Sequence, residues 1–513
     1  MQRKPRLGVV YDVGSAHPRE IFLASRRLCE PVFLVHHDTA GPGTTEIPTG
    51  AVDLTGASPA QAAGILRDLD IEHITTFSDR QLVRTAEIAE AAGLRFLSVE
   101  AAVACTDKLV QRRTLAEAGI DTIRMAPFTA AGAFPMDVGL PLIVKPRYGA
   151  GSVDTLQINS PAEAQQWAGE MAERSRTVPG TYSEFIVEEL LQGDSNWAGP
   201  DFGDFVSVES MVEAGRVRHL CVTGKFPLAA PFREAGMLVP STVSAEVEQH
   251  CRDLAEAALR ALGVDNVITH TEMKLTSTGP RIIEVNGRPP GYTSELLRRA
   301  TGGRFDMVGA ALRIALGLPA GDLPVLSDQV TYVYFLQPPL DAIRLIAMNE
   351  PGAVSSVRGG VRRFDPYVRP GASLDWRWGT SGHIGLILGE AADHQTALAE
   401  IDAAIRALDV TYELGKVSRM HDELPQDSST RAAPGYEEYE EVLRRNLPYA
   451  KDKSLTGDSS LQDLGLDSLG TVRLLADLEE TFDCELPDEA LEESTFASVD
   501  SLWQAFRNAT VPA

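Results

Sequence analysis

His270-Thr271-Glu272-Met273-Lys274 and, a few residues on, Arg281-Ile282-Ile283-Glu284-Val285-Asn286-Gly287-Arg288-Pro289 read as the two strands of a hairpin. Side chains alternate along a strand, so Glu284 and Asn286 point to one face, where Glu272 on the preceding strand can meet them. Ile282, Ile283 and Val285, woven between the polar residues, argue against an exposed charged hairpin. Carboxylates buried together without a cation would be costly. Two carboxylates and an amide oxygen are hard oxygen ligands of the kind magnesium takes, with triphosphate oxygens completing its shell. Glu272, Glu284 and Asn286 are therefore the candidate Mg2+ ligands.

A triphosphate also needs cations and backbone donors around it. Lys108, in Thr106-Asp107-Lys108 ahead of a predicted helix Leu109–Ala118, is one cation, and Lys145, ending Leu142-Ile143-Val144-Lys145, is another. Each lysine alone reads as a surface charge. The stretch Arg147-Tyr148-Gly149-Ala150-Gly151-Ser152 changes that reading, because a small-residue loop after a strand suits backbone contact with phosphates; Gly149, Gly151 and Ser152 are its candidates. Phe185-Ile186-Val187 runs out through Glu188, Glu189, Leu190 and Leu191 to Gln192-Gly193. Such a strand end can read adenine with main-chain groups while a carboxylate holds the ribose. Glu209, in Val206-Ser207-Val208-Glu209-Ser210, is a further ATP candidate.

Working outward, residues 1–104 alternate short apolar runs (Leu7–Tyr11, Val32–His36, Ile74–Phe77, Phe96–Val99) with helical segments Pro59–Leu69 and Arg80–Ala92. That alternation predicts a parallel α/β sheet. Residues 105–318 carry strands that pair largely antiparallel, at Leu142–Lys145, Ser183–Glu188, Val206–Val212, Val217–Val222 and Arg281–Val285. Residues 319–420 form a further lobe with a strand at Gly385–Gly389 and a helix within Ala391–Leu408. Residues 421–435 are polar, hold two prolines and predict a flexible linker. A helical module occupies 436–513.

In that module Asp463-Leu464-Gly465-Leu466-Asp467-Ser468-Leu469 places one serine at the mouth of a helix whose Leu469, Val472, Leu475 and Leu478 make an apolar stripe. A phosphodiester on Ser468 would meet helix N–H groups and the macrodipole. Asp467-Ser468 alone would read as a helix cap. With Leu461, the acidic second helix and the Asp488–Phe506 segment, the stretch Tyr436–Phe506 resembles an acyl or peptidyl carrier protein. That resemblance implies 4'-phosphopantetheine on Ser468 and a phosphopantetheinyl transferase as partner.

Residues 1 to about 415 resemble the ATP-grasp superfamily, in detail the carboxylate–amine ligases that include carnosine synthase and bacterial L-amino-acid ligases. The two lysines, the small-residue loop, the Glu188–Leu191 hinge and the Glu272/Glu284/Asn286/Arg288 set stand in the family's order. The resemblance implies a multidomain α/β and α+β protein. Its parts would be a Rossmann-like preATP-grasp lobe, two lobes clasping ATP, a biotin-carboxylase-like C-terminal lobe and a small helical-bundle carrier. It implies that ATP phosphorylates a carboxylate and a nucleophile then displaces phosphate. Arg288 would be catalytic and touch the substrate, stabilising charge on the transferred phosphoryl. Val222-Thr223-Gly224-Lys225 through Arg233-Glu234 to Ser241 resembles the region holding phosphate and an amino acid, so Lys225 is a second catalytic candidate and Glu234 a partner for an ammonium group. Gly291 belongs to the acyl pocket, where Pro290 stands in a position relatives often fill with glycine.

A carrier and an activator on one chain predict loading of a small carboxylic acid, an amino acid above all, onto the carrier's own thiol in specialised metabolism. The alternatives are an amide ligase fed by a carrier-tethered substrate and a non-catalytic scaffold delivering the carrier. Downstream biosynthetic enzymes would dock the carrier. The relatives admit a homodimer, and no residue decides the oligomeric state. The formal charge of −25 over 513 residues is uneven: residues 435–513 hold 18 Asp/Glu against 6 Lys/Arg, a net −12. This charge argues against nucleic acid. Five dispersed cysteines (Cys29, Cys105, Cys221, Cys251, Cys484) predict reduced packing thiols and a cytoplasmic setting. No apolar run approaches the length of a membrane span.

Overall fold

A computed structural model of the chain describes residues 3–36, 48, 50–130, 132–177, 182–357, 359–415 and 436–447, with further positions from 450 to 503. It divides into two compact units, Met1–Met420 and His421–Ala513. The first unit opens with β1 (Arg6–Tyr11), α1 (Pro18–Ser25), β2 (Glu30–Val35), β3 (Val52–Asp53), α2 (Pro59–Asp68), β4 (Ile71–Thr76) and α3 (Leu82–Ala92). The strands form a sheet of order β3-β2-β1-β4, parallel throughout, as near-continuous apolar runs require when helices cover both faces. Phe96–Val99 departs from expectation and adds no strand. Ser98 instead caps α4 (Val99–Thr106), its hydroxyl accepting from the Ala101 N–H. The cap satisfies a helix donor that a strand would leave open, and Leu97 drops into a core with Leu82, Ala101 and Val285.

After α5 (Lys108–Glu117) comes a small antiparallel sheet of β5 (Met125–Thr129), β6 (Leu142–Pro146), β7 (Leu156–Ile158) and β8 (Glu184–Glu189), in order β5-β8-β6-β7. The helix α6 (Pro161–Thr177) packs on it through Trp167, whose ring centroid lies 4.9 Å from Phe185 and 5.7 Å from Phe128.

The largest sheet begins with β9 (Phe205–Glu213), β10 (Arg216–Lys225) and β11 (Gly236–Val239). After α7 (Ala245–Ala261) come β12 (Val267–Thr276), β13 (Gly279–Asn286), α8 (Thr293–Ala300) and α9 (Met307–Ala315). Then follow β14 (Val330–Phe335), β15 (Ala342–Ala347), β16 (Val361–Pro366), β17 (Gly385–Ala391), α10 (His394–Leu408) and β18 (Thr411–Leu414). Eight of these strands pair in the order β13-β12-β9-β10-β11-β14-β17-β16, while β15 and β18 make a separate ribbon. Strands from beyond residue 319 thus extend the sheet that carries the hairpin, and one apolar core joins Val208 and Met273 to Ile387 and Ile401. This continuity lets residues near 337 and 380 reach the site.

The second unit is built on α11 (Tyr436–Asn446). Tyr439, Leu443, Leu461, Leu474, Leu478 and Trp503 share a core, and the Tyr439 hydroxyl donates to the Val499 carbonyl at 2.6 Å. Ser468, Asp467, Leu469, Val472 and Leu475 lie outside the described residues, as do the 421–435 segment and Cys484. The other four cysteines are buried and free. Burial pushes the Cys105 and Cys251 thiols up to about 12 and that of Cys29 to about 11, so all three stay protonated and inert. Among the described residues no helix is long and apolar enough to cross a membrane.

Candidate active site

β13 is an edge strand, and its outer edge is covered by side chains rather than by another strand. The Gln111 amide donates to the Val285 carbonyl at 2.8 Å and accepts from the Val285 N–H at 2.9 Å. The Arg112 guanidinium donates to the Ile282 and Ile283 carbonyls at 2.6 and 2.8 Å, and Asp121 accepts from the Ile282 N–H at 2.8 Å. Gln111 and Arg112 on α5 serve this edge together with Asp121 beyond the helix, and Lys108, three and four residues before them, reaches the Glu284 side chain. These bonds occupy backbone groups that an uncovered edge would offer to a foreign strand.

Between this hairpin, the small sheet and the phosphate-loop candidate lies a cavity of ≈ 310 Å³. Register places Glu272 directly opposite Glu284, and His270 opposite Asn286. A β-bulge falls between Glu272 and Met273, where Met273 pairs Ile282 and leaves Ile283 extra. Bulges re-aim side chains, and here the successive residues Ile283 and Glu284 both reach the cavity wall. Among the described residues no three His, Cys, Asp or Glu side chains form a metal cluster on their own. The set therefore depends on the Asn286 amide beside two carboxylates, and hard oxygens with room for phosphate oxygens fit magnesium.

Lys108, Lys145, Arg112, Lys225 and Arg288 line the same cavity. Lys108 Nζ sits 3.0 Å from Glu284 Oε2 and donates to the Gly149 carbonyl at 2.6 Å. Glu188 takes two bonds from Arg112, at 2.7 and 3.2 Å, and one from Lys145 at 2.8 Å. Burial alone would raise the Glu188 carboxyl; the charges of Arg112 and Lys145 overcome it and hold the group at about 2. For Lys145 burial wins, lowering its affinity for the proton despite Glu188. Glu188 thus anchors the two cations with its carboxylate. The neighbouring Glu189 carboxylate binds the Arg124 guanidinium at 2.8 Å. β8 pairs with β5 through Glu188 and with β6 through Glu189; beyond it the Leu190 N–H donates to the Pro141 carbonyl at 3.3 Å, and Leu190 and Leu191 line the cavity.

Glu209, expected at the nucleotide, does not line the cavity: it is wholly buried behind His270. Its carboxylate binds His270 Nδ1 at 2.9 Å and accepts from the Ser207 and Thr223 hydroxyls. His270 Nε2 in turn lies 3.0 Å from Glu272. Burial would lower the imidazole, but Glu209 and then Glu272 push it up to about 9. The Glu272 carboxyl, which burial would raise, is brought down to about 2 by His270, with Lys225 and Arg288 adding to it. His270 therefore fixes the position and charge of Glu272.

The loop after β6 carries positive φ at Gly149, Gly151 and Ser152. A Cβ at Gly149 would meet the Tyr182 hydroxyl at 2.8 Å. The segment Trp376–Gly382 closes over the loop: the Thr380 N–H donates to the Gly151 carbonyl at 2.8 Å. At Gly379, with φ 64°, a Cβ would stand 2.2 Å from that carbonyl oxygen. Gly379→Ala is accordingly expected to push the loop off its position and lower kcat/KM for ATP roughly ten- to a hundredfold. Steady-state kinetics at varied ATP checks this, and an unchanged value would remove the latch from the site.

At the other end, Lys225 Nζ meets Glu234 Oε1 at 3.1 Å. Arg288 is clamped by Asp79, from a short helical turn before α3, at 2.7 and 2.6 Å. Leu228, Phe232, Met237, Pro290, Tyr292 and Phe335 supply apolar wall. Gly291 lies beside them and Tyr292 adopts a left-handed φ of 61°. Every residue singled out in the first unit except Glu209 lines this one cavity. Arg112, His270 and Asp79 were missed. The Arg112 spacing from Lys108 and the His270 spacing from Glu272 were visible signals, whereas nothing local marked Asp79.

The family model described as an ATP-grasp domain matches residues 138–294, and the one described as a phosphopantetheine attachment site matches 440–502. Alanine–anticapsin ligase of Bacillus subtilis (strain 168) is 30% identical over 230 residues, covering 43% of this chain and 48% of that protein. Carnosine synthase 1 of Gallus gallus is 26% identical over 198 residues, or 37% of this chain and 20% of its own length. The chain thus spans half or less of these curated relatives. The crystal structure of an L-amino acid ligase from Bacillus licheniformis superposes with a TM-score of 0.64 at 20% identity, covering 80% of this chain and all of that one. The chain carries an ATP-grasp domain and is similar over part of its length to an amino-acid ligase and to a carnosine synthase. A phosphopantetheine-attachment module follows it at the C-terminal end.

Proposed function

We propose that the protein is an ADP-forming ligase that activates a small carboxylic acid, in first place an amino acid, and loads it onto its own carrier. The observation that carries this reading is one cavity that brings Lys108, Lys145, Lys225 and Arg288 together with Glu272, Glu284 and Asn286, on a chain that also bears a phosphopantetheine-attachment module. A carboxylate oxygen attacks the γ-phosphorus of ATP, the bond to the β-phosphate oxygen breaks, and acyl phosphate and ADP result. The thiolate of the arm on Ser468 then attacks the acyl carbon and expels phosphate, leaving a thioester. Magnesium held by Glu272, Glu284 and Asn286 would neutralise phosphate charge. Lys108, Lys145 and Arg288 add fixed cations, and Lys225 with Glu234 faces the acid's polar groups. A tethered carrier raises the thiol to an effective concentration on the order of millimolar.

Intact-protein mass spectrometry of the pantetheinylated protein with ATP, magnesium and an amino-acid pool tests this. A hydroxylamine-labile mass gain on Ser468 with release of ADP and phosphate is expected; AMP as product would sink the acyl phosphate. Ser468→Ala should abolish the adduct, yet leave hydroxamate formation with added hydroxylamine within about twofold, because that variant loses only the tethered thiol. The similarity to alanine–anticapsin ligase favours a second reading, an amide ligase whose carrier presents a substrate. ADP release only on addition of an amine, with no adduct, would select it.

A further inference from the structure

One residue away from the catalytic wall the chain builds a second, more open cavity. Ala229 and Arg233 close a tight antiparallel turn, exchanging backbone hydrogen bonds of 2.9 and 2.8 Å. Phe232 and Glu234 line the active-site cavity, whereas Arg233 between them lines a separate space of ≈ 640 Å³. Its other walls come from β14, the segment after it, the end of α10 and the start of β18. Tyr334, Leu336, Leu340, Ile405, Val410 and Tyr412 make them largely apolar. The volume falls within the range typical of small-molecule sites.

Arg233 is 2% exposed, and its three hydrogen-bond acceptors are all uncharged: the Ala230 carbonyl at 2.7 Å, the Pro338 carbonyl at 3.0 Å and the Gln337 amide oxygen at 3.4 Å. Among the described residues no carboxylate forms an ion pair with it. The contrast within the same unit is sharp, since buried Arg112 has Glu188 and partly buried Arg288 has Asp79. A buried guanidinium with no counter-charge is costly, and each of its terminal nitrogens carries a hydrogen beyond those already donated. Exposed Arg406 adds a second cation at the rim, where Asp409 is the acidic lining residue.

We infer that this cavity is a binding site for a small carboxylate with an apolar body, whose carboxylate pairs with Arg233 and Arg406 while the chain or ring lies against Tyr334, Ile405 and Tyr412. The site is distinct from the one that activates the acid. It touches that site through Gln337, whose amide donates to the Glu234 and Thr380 carbonyls at 2.8 and 3.0 Å.

Titration calorimetry on the full chain with hexanoate and, separately, with hexanamide tests the site. Saturable hexanoate binding is expected, with hexanamide at least about tenfold weaker because it lacks the charge-assisted bonds. Arg233→Met and the space-filling Val410→Trp should each weaken hexanoate by a similar factor. Neither alters a residue of the catalytic lining. Absence of saturable binding in the wild type overturns the inference, as does equal affinity for acid and amide. Undiminished binding in Val410→Trp overturns it too, and that variant decides should Arg233→Met fail to fold.

Discussion

Glu284→Ala is expected to reduce acid-dependent ADP formation by roughly a hundred- to a thousandfold, the equivalent of losing several kcal/mol of charge stabilisation at the transferred phosphoryl. The residue is placed for two tasks. It faces Glu272 across the hairpin, the carboxylate proposed with it for magnesium, and it holds Lys108 at 3.0 Å. Removing it frees Lys108 from one of its two anchors, leaving the Gly149 carbonyl alone. Glu284→Gln preserves shape and a hydrogen bond but not charge, so it should be nearly as impaired. Product assays under saturating magnesium, paired with thermal unfolding to show that both variants fold, check the point. Full activity in either variant would refute the magnesium assignment.

Arg112→Met should cost about 3–5 kcal/mol in stability of the first unit, the range found when one partner of a buried ion pair is removed. The substitution strips Glu188 of its bidentate partner and leaves it to Lys145. It also uncovers the Ile282 and Ile283 carbonyls on the edge strand that carries Glu284. Loss of stability and loss of activity should therefore appear together, read from urea unfolding and from ADP release. A shift below about 1 kcal/mol would mean that the edge is held by Gln111 and Asp121 instead. The same cluster sets an acid limit. The folded Glu188 carboxyl sits at about 2 against an ordinary value of 4.5. Its contribution is full above about pH 4.5 and lost as pH falls through about 2. Glu188→Gln, less stable at neutral pH, should lack that part of the acid dependence when midpoints at pH 7 and 3.5 are compared.

By itself the sequence determined what short-range chemistry determines. Strand alternation put Glu284 and Asn286 on one face, glycines marked the loop that needs positive φ at 149 and 151, and turn-free apolar runs gave the parallel sheet at the start. Each of these depends on residues a few positions apart, and steric rules act at that distance whatever the rest of the chain does. The run Phe96–Val99, whose apolar character predicts a strand, leads into α4 instead, for a related reason. Four residues are too few to separate a buried strand from an apolar approach to a helix, and the Ser98 cap decided it.

Only the tertiary structure decided which charges meet. Asp79 and Arg288 stand 209 positions apart in sequence, Glu188 and Arg112 76, and His270 and Glu209 61. No local pattern encodes such pairs, since their partners are set by how the sheets and helices pack. Glu209 shows the consequence: a carboxylate expected at the nucleotide is wholly buried away from the cavity and binds His270 instead. Burial converts the same side chains from surface charges into fixed ion pairs, because a desolvated charge must find a partner where water no longer serves. Residue type was legible in the chain; depth and pairing came from the fold.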